Sequence, residues 1–459
     1  MLMKKPIRFS VMARVLWPII EKTGHAIQAT MLAALMLIFV VGNGNAETVS
    51  LHDCLTEAMG NNPLLKENNL GVMAGEEGIV GATGRHFPKI SLDANYTNRQ
   101  DAMPYIPAQS MTIPAHFSDE FGSWQTVLTV PLYQGGQIEN GVKIAEIKKT
   151  VQEDSLTLTR NEIIANTVNT YNKILQLGKL HEASTASVKA LEEQHNNVSL
   201  LYHLGRVARV DLLKVEVQLA SEKQRLSSIN EGLAASRETL AFFMGRSVIA
   251  AKSDLSPAGV LSFSDFSCDF EQGLSAARER RPEYRIARSG IREADLNAKN
   301  SFGKLLPTIS AIGGYLDQAG FEPWHNEANW FGGINLSIPL FDRSLYADLT
   351  RDRILKEKAG IHLKSVENQI RLDISNAINS VTESRSRAEN AREAVRQAGE
   401  SFRIEQEKYA TGAGTMVELL LAQAADFTAA ANYTQALFDY NAAIVAFHRS
   451  AGSLEDYLK

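Results

Sequence analysis

Cysteine is nearly absent from this chain: 459 residues contain only Cys54 and Cys268. Two cysteines build no disulfide framework and fit no metal-ligand spacing, so two unpaired thiols are expected. Aromatics are also scarce, at 7%, while Ala, Leu, Glu, Gln, Ser and Asn dominate the middle of the chain, a balance that favours long helices over a compact sheet protein. Catalytic constellations are missing as well. There is no nucleophile elbow, no Gly-rich phosphate loop and no His-Glu metal motif, so neither an enzyme nor a cofactor is expected.

The N-terminus stands apart. Lys4, Lys5, Arg8, Arg14 and Lys22 precede an apolar run over 31–41, and Gly44, Asn45 and Ala46 offer small residues for cleavage, so 1–46 reads as an export signal. Eleven apolar residues are too few to span about 30 Å of hydrocarbon as a helix, which argues against a membrane anchor. Removing five positive charges and one negative moves the formal net charge from −5 to −9, and a modestly acidic chain argues against nucleic acid as a partner. Neither cysteine stands directly after the cleavage site, so no acceptor for an N-terminal lipid is expected.

What the chain does contain is written twice. Helical spacing from Leu51 is interrupted at Asn61-Asn62-Pro63 and resumes to about Arg85. Period-two alternation then puts Leu92, Ala94 and Tyr96 on one face and Ser91, Asp93, Asn95 and Thr97 on the other, the pattern of a strand. Pro104, Pro107 and Pro114 mark a loop, and a second strand is expected from about Gly122 to Leu132 with Trp124, Leu128, Val130 and Leu132 on one side. A helix of some 65 residues follows, about 100 Å long, then a turn at Gly205 and a shorter helix ending at Gly245.

Pro63, Gly71 and Pro88 recur as Pro282, Gly290 and Pro307, shifted by 219; Pro131 recurs as Pro339, shifted by 208; Tyr202, Gly205, Val210 and Gly245 recur as Tyr409, Gly412, Val417 and Gly452, shifted by 207. The change of offset places a longer loop in the first hairpin. The expected organisation is a signal over 1–46, a first repeat over 47–245 and a linker over 246–269, with a second repeat over 270–459. In the first repeat the hairpin covers about 90–132, the long helix about 139–203, the tip turn 204–208 and the last helix 209–245. In the second these are about 308–340, 345–410, 411–415 and 416–452. Ile334, Leu336, Ile338 and Leu340 alternate in the second hairpin. Its long helix carries the heptad stripe Ile374, Val381, Ala388, Val395, Phe402 and Tyr409, the mark of coiled-coil packing.

Four amphipathic strands of about ten residues suit an outer membrane, but four cannot close a barrel whose smallest examples have about eight. Two copies give eight strands and no lumen; three give twelve and room for a channel. The fold class expected is therefore mostly α and internally duplicated: a long antiparallel coiled-coil α-barrel with a four-strand contribution per chain to a shared β-barrel.

Phe87-Pro88-Lys89-Ile90-Ser91 and Leu306-Pro307-Thr308-Ile309-Ser310 before the odd strands, Val130-Pro131-Leu132-Tyr133 and Ile338-Pro339-Leu340-Phe341 after the even ones, and the two Tyr-x-x-Gly turns fall in order at matching offsets. With these features, residues 47–459 resemble the TolC family of outer-membrane efflux and secretion channels. The resemblance implies a homotrimer with a twelve-stranded barrel in outer-membrane lipid, a helical tunnel across the periplasm, and a closed tip opened through a periplasmic adaptor bound to an inner-membrane transporter. It implies passive export of small molecules such as drugs, with type I protein secretion as the alternative; a non-conducting periplasmic coiled-coil scaffold is the reading from another class. The family's gate carries over in part. Its first acidic position matches Glu418 and its second falls on Leu421; the tyrosine that ties the tip matches Tyr409, and its basic partner is Gly414 here. Asp211 joins this gate group. Gly205, Arg206, Arg209, Gly412 and Gly414 stand where an adaptor is expected to dock.

Each sharp reading has a plainer rival. Glu418 is also an acceptable solvated helix residue, and Gly205 and Gly412 also serve as helix C-caps. His181 and His195 fall on a coiled seam that accommodates histidine without function. Met103, Met111 and His116 offer metal ligands but share only a surface loop. Trp124, Trp324 and Trp330 fit an aromatic belt at the membrane interface or plain packing.

Overall fold

Ser50 opens the first helix because its hydroxyl accepts from the Asp53 N–H and the Asp53 carboxylate accepts from the Ser50 N–H, each at 3.2 Å, a reciprocal cap. In this computed structural model, which describes residues 47–106, 115–247, 255–321 and 324–457, β1 (Glu47–Val49) precedes that helix, α1 (Leu51–Asn61). The export signal and Pro107, Met111 and Pro114 lie outside the described residues. The chain divides into two units, one of Met1–Thr48 with Ser253–Ser256 and one of Val49–Lys252 with Pro257–Lys459.

Asn62 ends α1 and caps α2 (Pro63–Gly84), whose Pro63 stands at the first helical position, where a missing N–H costs nothing. After β2 (Lys89–Ile106) and β3 (His116–Tyr133) comes the 67-residue α3 (Gln137–His203), then α4 (Arg209–Met244). β4 (Leu255–Pro257) lies in the stretch expected as a plain linker and pairs with β1. The second repeat runs through α5 (Phe270–Arg280), α6 (Pro282–Gly303), β5 (Thr308–Phe321), β6 (Trp324–Ser337), the 68-residue α7 (Arg343–Ala410), α8 (Met416–Ala451) and a final turn, α9 (Leu454–Tyr457).

The second unit's strands form one antiparallel sheet in the order β2-β3-β5-β6, with β3–β5 joining the two repeats. The strands are longer than the ten residues expected, 18 in β2 and β3 and 14 in β5 and β6. Pro104 does not break β2. It lies where the pairing register shifts, and an irregularity is where a strand tolerates a missing donor. β3 likewise begins at His116 rather than near Gly122.

Register assigns the faces. Leu92, Ala94 and Tyr96 stand opposite Thr126, Trp124 and Gly122, and Thr126 stands opposite Tyr315, itself opposite Trp330, so these apolar and aromatic side chains share one face. Ser91, Asp93, Asn95, Gln125, Gln318, Asn329 and Asn335 fall on the other.

Each long helix carries two shorter ones along its length. On α3, α2 covers the end near the sheet, through Lys149–Glu76 at 3.0 Å, and α4 covers the far end, through Lys223–Glu192 at 2.7 Å and the buried Ser184–Glu222 hydrogen bond at 2.8 Å. α6 and α8 do the same for α7, through Lys356–Asp295 at 2.7 Å and Arg387–Asp439 at 3.2 Å. The repeats meet along α3, where Asp154 pairs with Arg285 of α6 at 2.7 Å and the Gln176 amide donates to Gln435 of α8. Apolar cores pin the same contacts, notably Ile164, Val168 and Val445, and Val381, Tyr440 and Ile444. The α7 heptad stripe is buried at Ile374, Val381 and Ala388 but only half-buried at Val395, Phe402 and Tyr409. Among the described residues no helix is long and apolar enough to cross a membrane.

Candidate functional site

The two helix-to-helix turns fall at one end of the bundle because both long helices stop in the same way. Gly205 (φ +71°) and Gly412 (φ +75°) take the left-handed conformation that lets the chain leave the helix. Backbone bonds close each exit: the Arg206 N–H donates to the Leu201 carbonyl and the Ala413 N–H to the Lys408 carbonyl, both at 2.9 Å. Gly414 has a different reason to be glycine. A Cβ there would lie 3.0 Å from the Lys408 Cβ, so the turn folds back tightly against the end of α7.

The turns leave into their next helices differently. Ala208 caps α4 without a side-chain bond, whereas Thr415 and Glu418 form a complete capping box on α8. The Glu418 N–H donates to the Thr415 hydroxyl at 3.3 Å, and the Glu418 carboxylate accepts from the Thr415 N–H and hydroxyl at 2.8 Å each. These bonds, with a smaller pull from Lys408, hold the exposed Glu418 carboxyl below its ordinary value. A Thr-x-x-Glu spacing is a sequence signal for such a box, and it was open to reading in the chain.

The structure brings Tyr409 and Asp211 together. Tyr409 packs half-buried on a small core of Val198, Val215 and Met416 that also takes in Val207, Leu212 and Leu420, so both repeats share it. Burial first, and the Asp211 charge second, raise the Tyr409 phenol above its ordinary value. Asp211 lies 3.6 Å from Lys214 in its own helix. Arg206 and Arg209 are exposed on the first turn. Leu421, one turn beyond Glu418, is 65% exposed, while Leu420 faces the shared core.

An apolar ridge at this end went unread in the sequence: Leu200, Leu204, Val210, Leu213 and Val217 are all exposed. Its signal was there, since an apolar stripe beside a turn has to be covered by something, but periodicity alone does not tell a covered stripe from a bare one.

At the sheet, Trp124 packs on Tyr315 (5.2 Å) and Tyr315 on Trp330 (4.8 Å), while Trp324 packs on Phe321 (5.7 Å), nearer the hairpin end. Phe87, Tyr133 and Phe341 are exposed where strands meet helices, a second aromatic level that sequence reasoning missed.

The outer membrane efflux protein family model matches residues 54–246 and 273–453, one match per repeat. A similar curated protein, outer membrane efflux protein BepC of Brucella suis biovar 1, is 23% identical over 396 residues, covering 85% of this chain and 83% of that one. The fold is that of the Campylobacter jejuni CmeC outer membrane channel (TM-score 0.77, 15% identity, 88% of this chain and 86% of that chain). It is equally that of the outer-membrane channel OprN (TM-score 0.75, 18% identity, 88% and 90%). Duplicated helices around an amphipathic four-stranded sheet, matched twice by one family model, place this chain in the outer membrane efflux protein family, as an outer-membrane efflux channel that extends into the periplasm.

Proposed function

We propose that three copies of the chain close one twelve-stranded barrel and serve as the passive exit duct for small molecules such as drugs and toxic compounds, the energy coming from an inner-membrane pump coupled through a periplasmic adaptor. The observation that carries this reading is the sheet itself. Among the described residues its edge strands β2 and β6 have no partner beyond them, and an open edge in lipid would leave backbone N–H and C=O groups unsatisfied. Pairing β2 of one copy with β6 of the next removes both edges.

The apolar face supports the same placement. At about 3.3 Å per residue and a tilt of about 45°, the 14 residues of β6 span roughly 30 Å, enough to cross an outer-membrane apolar band of about 25 Å. Trp124 and Trp330 then stand at the outer interface, Phe87, Tyr133 and Phe341 at the inner one, and Trp324 beyond the hydrocarbon.

At the far end, Glu418, Tyr409, Leu421 and Asp211 would form the periplasmic gate, with one acidic ring from Glu418 and an apolar ring from Leu421. The exposed ridge Leu200–Leu204 and Val210–Val217 supports contact with neighbouring copies there. Gly205, Arg206, Arg209, Gly412 and Gly414 would meet the adaptor's helices.

Planar-bilayer recording on purified protein tests this. Trimers should conduct weakly, and Glu418→Gln should reduce block by multivalent cations, while Leu421→Asp should strengthen it. Cleanly inserted trimers that show no pore, even with Tyr409 and Asp211 replaced to loosen the tip, would sink the channel reading.

A further inference from the structure

A groove of about 840 Å³ crosses the apolar face of the sheet. Ile90 and Leu128 wall one flank, Trp124, Tyr315 and Trp330 wall the side nearer the hairpin ends, and Gly313 lies at its floor. The register explains the shape. Ile90 stands opposite Leu128, Leu128 opposite Gly313 and Gly313 opposite Gly332, so one row across the four strands has two large side chains followed by two bare positions. In the next row toward the hairpin ends Tyr315 stands opposite Trp330, with ring centroids 4.8 Å apart, and Trp124 packs on Tyr315 at 5.2 Å. The row on the other side returns to side chains at Ala311 and Ile334.

Packing within the chain does not require glycine at this floor. A Cβ at Gly314 would lie 2.7 Å from the Phe331 ring, and one at Gly320 would lie 2.5 Å from the Tyr105 ring, so a neighbour fills the space at both. A Cβ at Gly313 would meet nothing nearer than the Phe331 carbonyl oxygen at 3.6 Å, and one at Gly332 nothing nearer than the Ile312 carbonyl oxygen at 3.9 Å. Neither sits at a bulge, because the β5–β6 pairing runs unbroken from Thr308–Ser337 to Phe321–Trp324. Glycine inside a strand weakens it, and where no bulge or crowded neighbour calls for it, it marks the close approach of a ligand or another backbone. The walls are as uncovered as the floor: Trp330 is 81% exposed and Ile90 70%.

No charged residue lines the groove, and it is continuous with the face that meets the membrane, so its occupant has to be apolar. Three steps between strands of about 4.8 Å make it about 14 Å long. Membrane strands tilt by about 45°, so a groove that crosses them is oblique too, and a chain descending from the headgroup level can follow it. We propose that this groove holds one acyl chain of a bilayer lipid, seated on Gly313 between the Trp124–Tyr315–Trp330 row and the Leu128–Ile90 flank. The proposal rests on the membrane placement of the apolar face and does not depend on conduction.

Titration of the detergent-extracted protein with a brominated phosphatidylcholine tests it, read by tryptophan fluorescence and by native mass spectrometry of the lipid retained. Bromine quenches indole on contact, so Trp124 and Trp330 report the groove. Wild type should saturate with one lipid retained per chain. Gly313→Leu fills the floor and should lose that lipid and raise the midpoint about tenfold or more, the equivalent of roughly two buried methylenes. Gly333→Leu makes the same change on the opposite face, where the space is open, and should leave both readouts as in wild type. If Gly313→Leu does not fold, Gly313→Ala and Gly332→Ala take its place, each expected to weaken binding about fourfold for one methylene displaced. Midpoints and lipid counts equal to wild type in the floor variants overturn the proposal. So does loss of the oligomer in Gly313→Leu with lipid retention unchanged, which would put a second copy of the chain in the groove. Absence of quenching in wild type even with excess brominated lipid would overturn the membrane placement itself, a failure distinct from that of the groove.

Discussion

The Glu418 carboxylate turns back on Thr415 and accepts from both its N–H and its hydroxyl, at 2.8 Å each. The acid at the proposed gate is therefore also the acid that starts α8. Thr415→Ala should cost about 1 kcal/mol, the usual value of an N-cap, and should speed amide exchange at 416–419 with little change elsewhere. The pH dependence follows from the sign of the shift. Glu418 is held below its ordinary value, so its contribution is complete above about pH 4.3, the unperturbed glutamate value, and fades as the pH falls through its own lower one. Equal protection factors at 416–419 near pH 7 and at strongly acid pH, each taken against the intrinsic exchange rate at that pH, would contradict this.

The glycines separate two kinds of requirement. Gly205 needs a left-handed backbone but has open space around it, whereas Gly245 needs the same backbone (φ +76°) and a Cβ there would meet the Asn61 backbone at 2.7 Å. Gly205→Ala should cost about 1–2 kcal/mol, the strain of a left-handed residue. Gly245→Ala should cost distinctly more because backbone has to move. Thermal denaturation in detergent should rank Gly245→Ala below Gly205→Ala, and the reverse order would refute the packing argument.

The two faces of β6 make a paired test. Leu336 is 57% exposed on the apolar face, and Asn335 follows the polar one. Leu336→Arg should cost up to about 2–4 kcal/mol in the membrane and lower the yield of folded protein. Asn335→Arg should be tolerated; similar yields would mean that the faces are misassigned.

Asp154 joins the repeats through Arg285, and one of its carboxylate oxygens is buried without a hydrogen bond. Burial holds its carboxyl above the ordinary aspartate value, with Arg285 pulling the other way. A raised carboxyl favours the folded state most below about pH 3.9, the unperturbed value, and loses that contribution as the pH climbs through its own higher one. Asp154→Asn removes the dependence, so denaturation midpoints of variant and wild type should diverge in the variant's favour between about pH 4 and pH 7. Arg285→Met should destabilise by about 1–3 kcal/mol, having left a buried acid unpaired.

The sequence by itself determined the duplication, the two long helices, the hairpins and their faces, and the glycine turns. Each is a local signal: a 3.6-residue or two-residue period, a proline or a glycine acts on neighbours a few positions away. The strand lengths escaped because Pro104 reads locally as a breaker, while the irregular pairing with β3 that accommodates it depends on residues beyond it. Of the candidate site, the turn glycines and Glu418 were legible, and so was the Thr415 cap that went unread. The meeting of Tyr409 with Asp211 and of Leu128 with Gly313 was decided only by the tertiary structure. Those partners stand about two hundred residues apart and leave no trace in local spacing. They were brought together when β3 paired with β5 and when α8 came against α3, and those choices rest on burying apolar faces that many other pairings could also have buried.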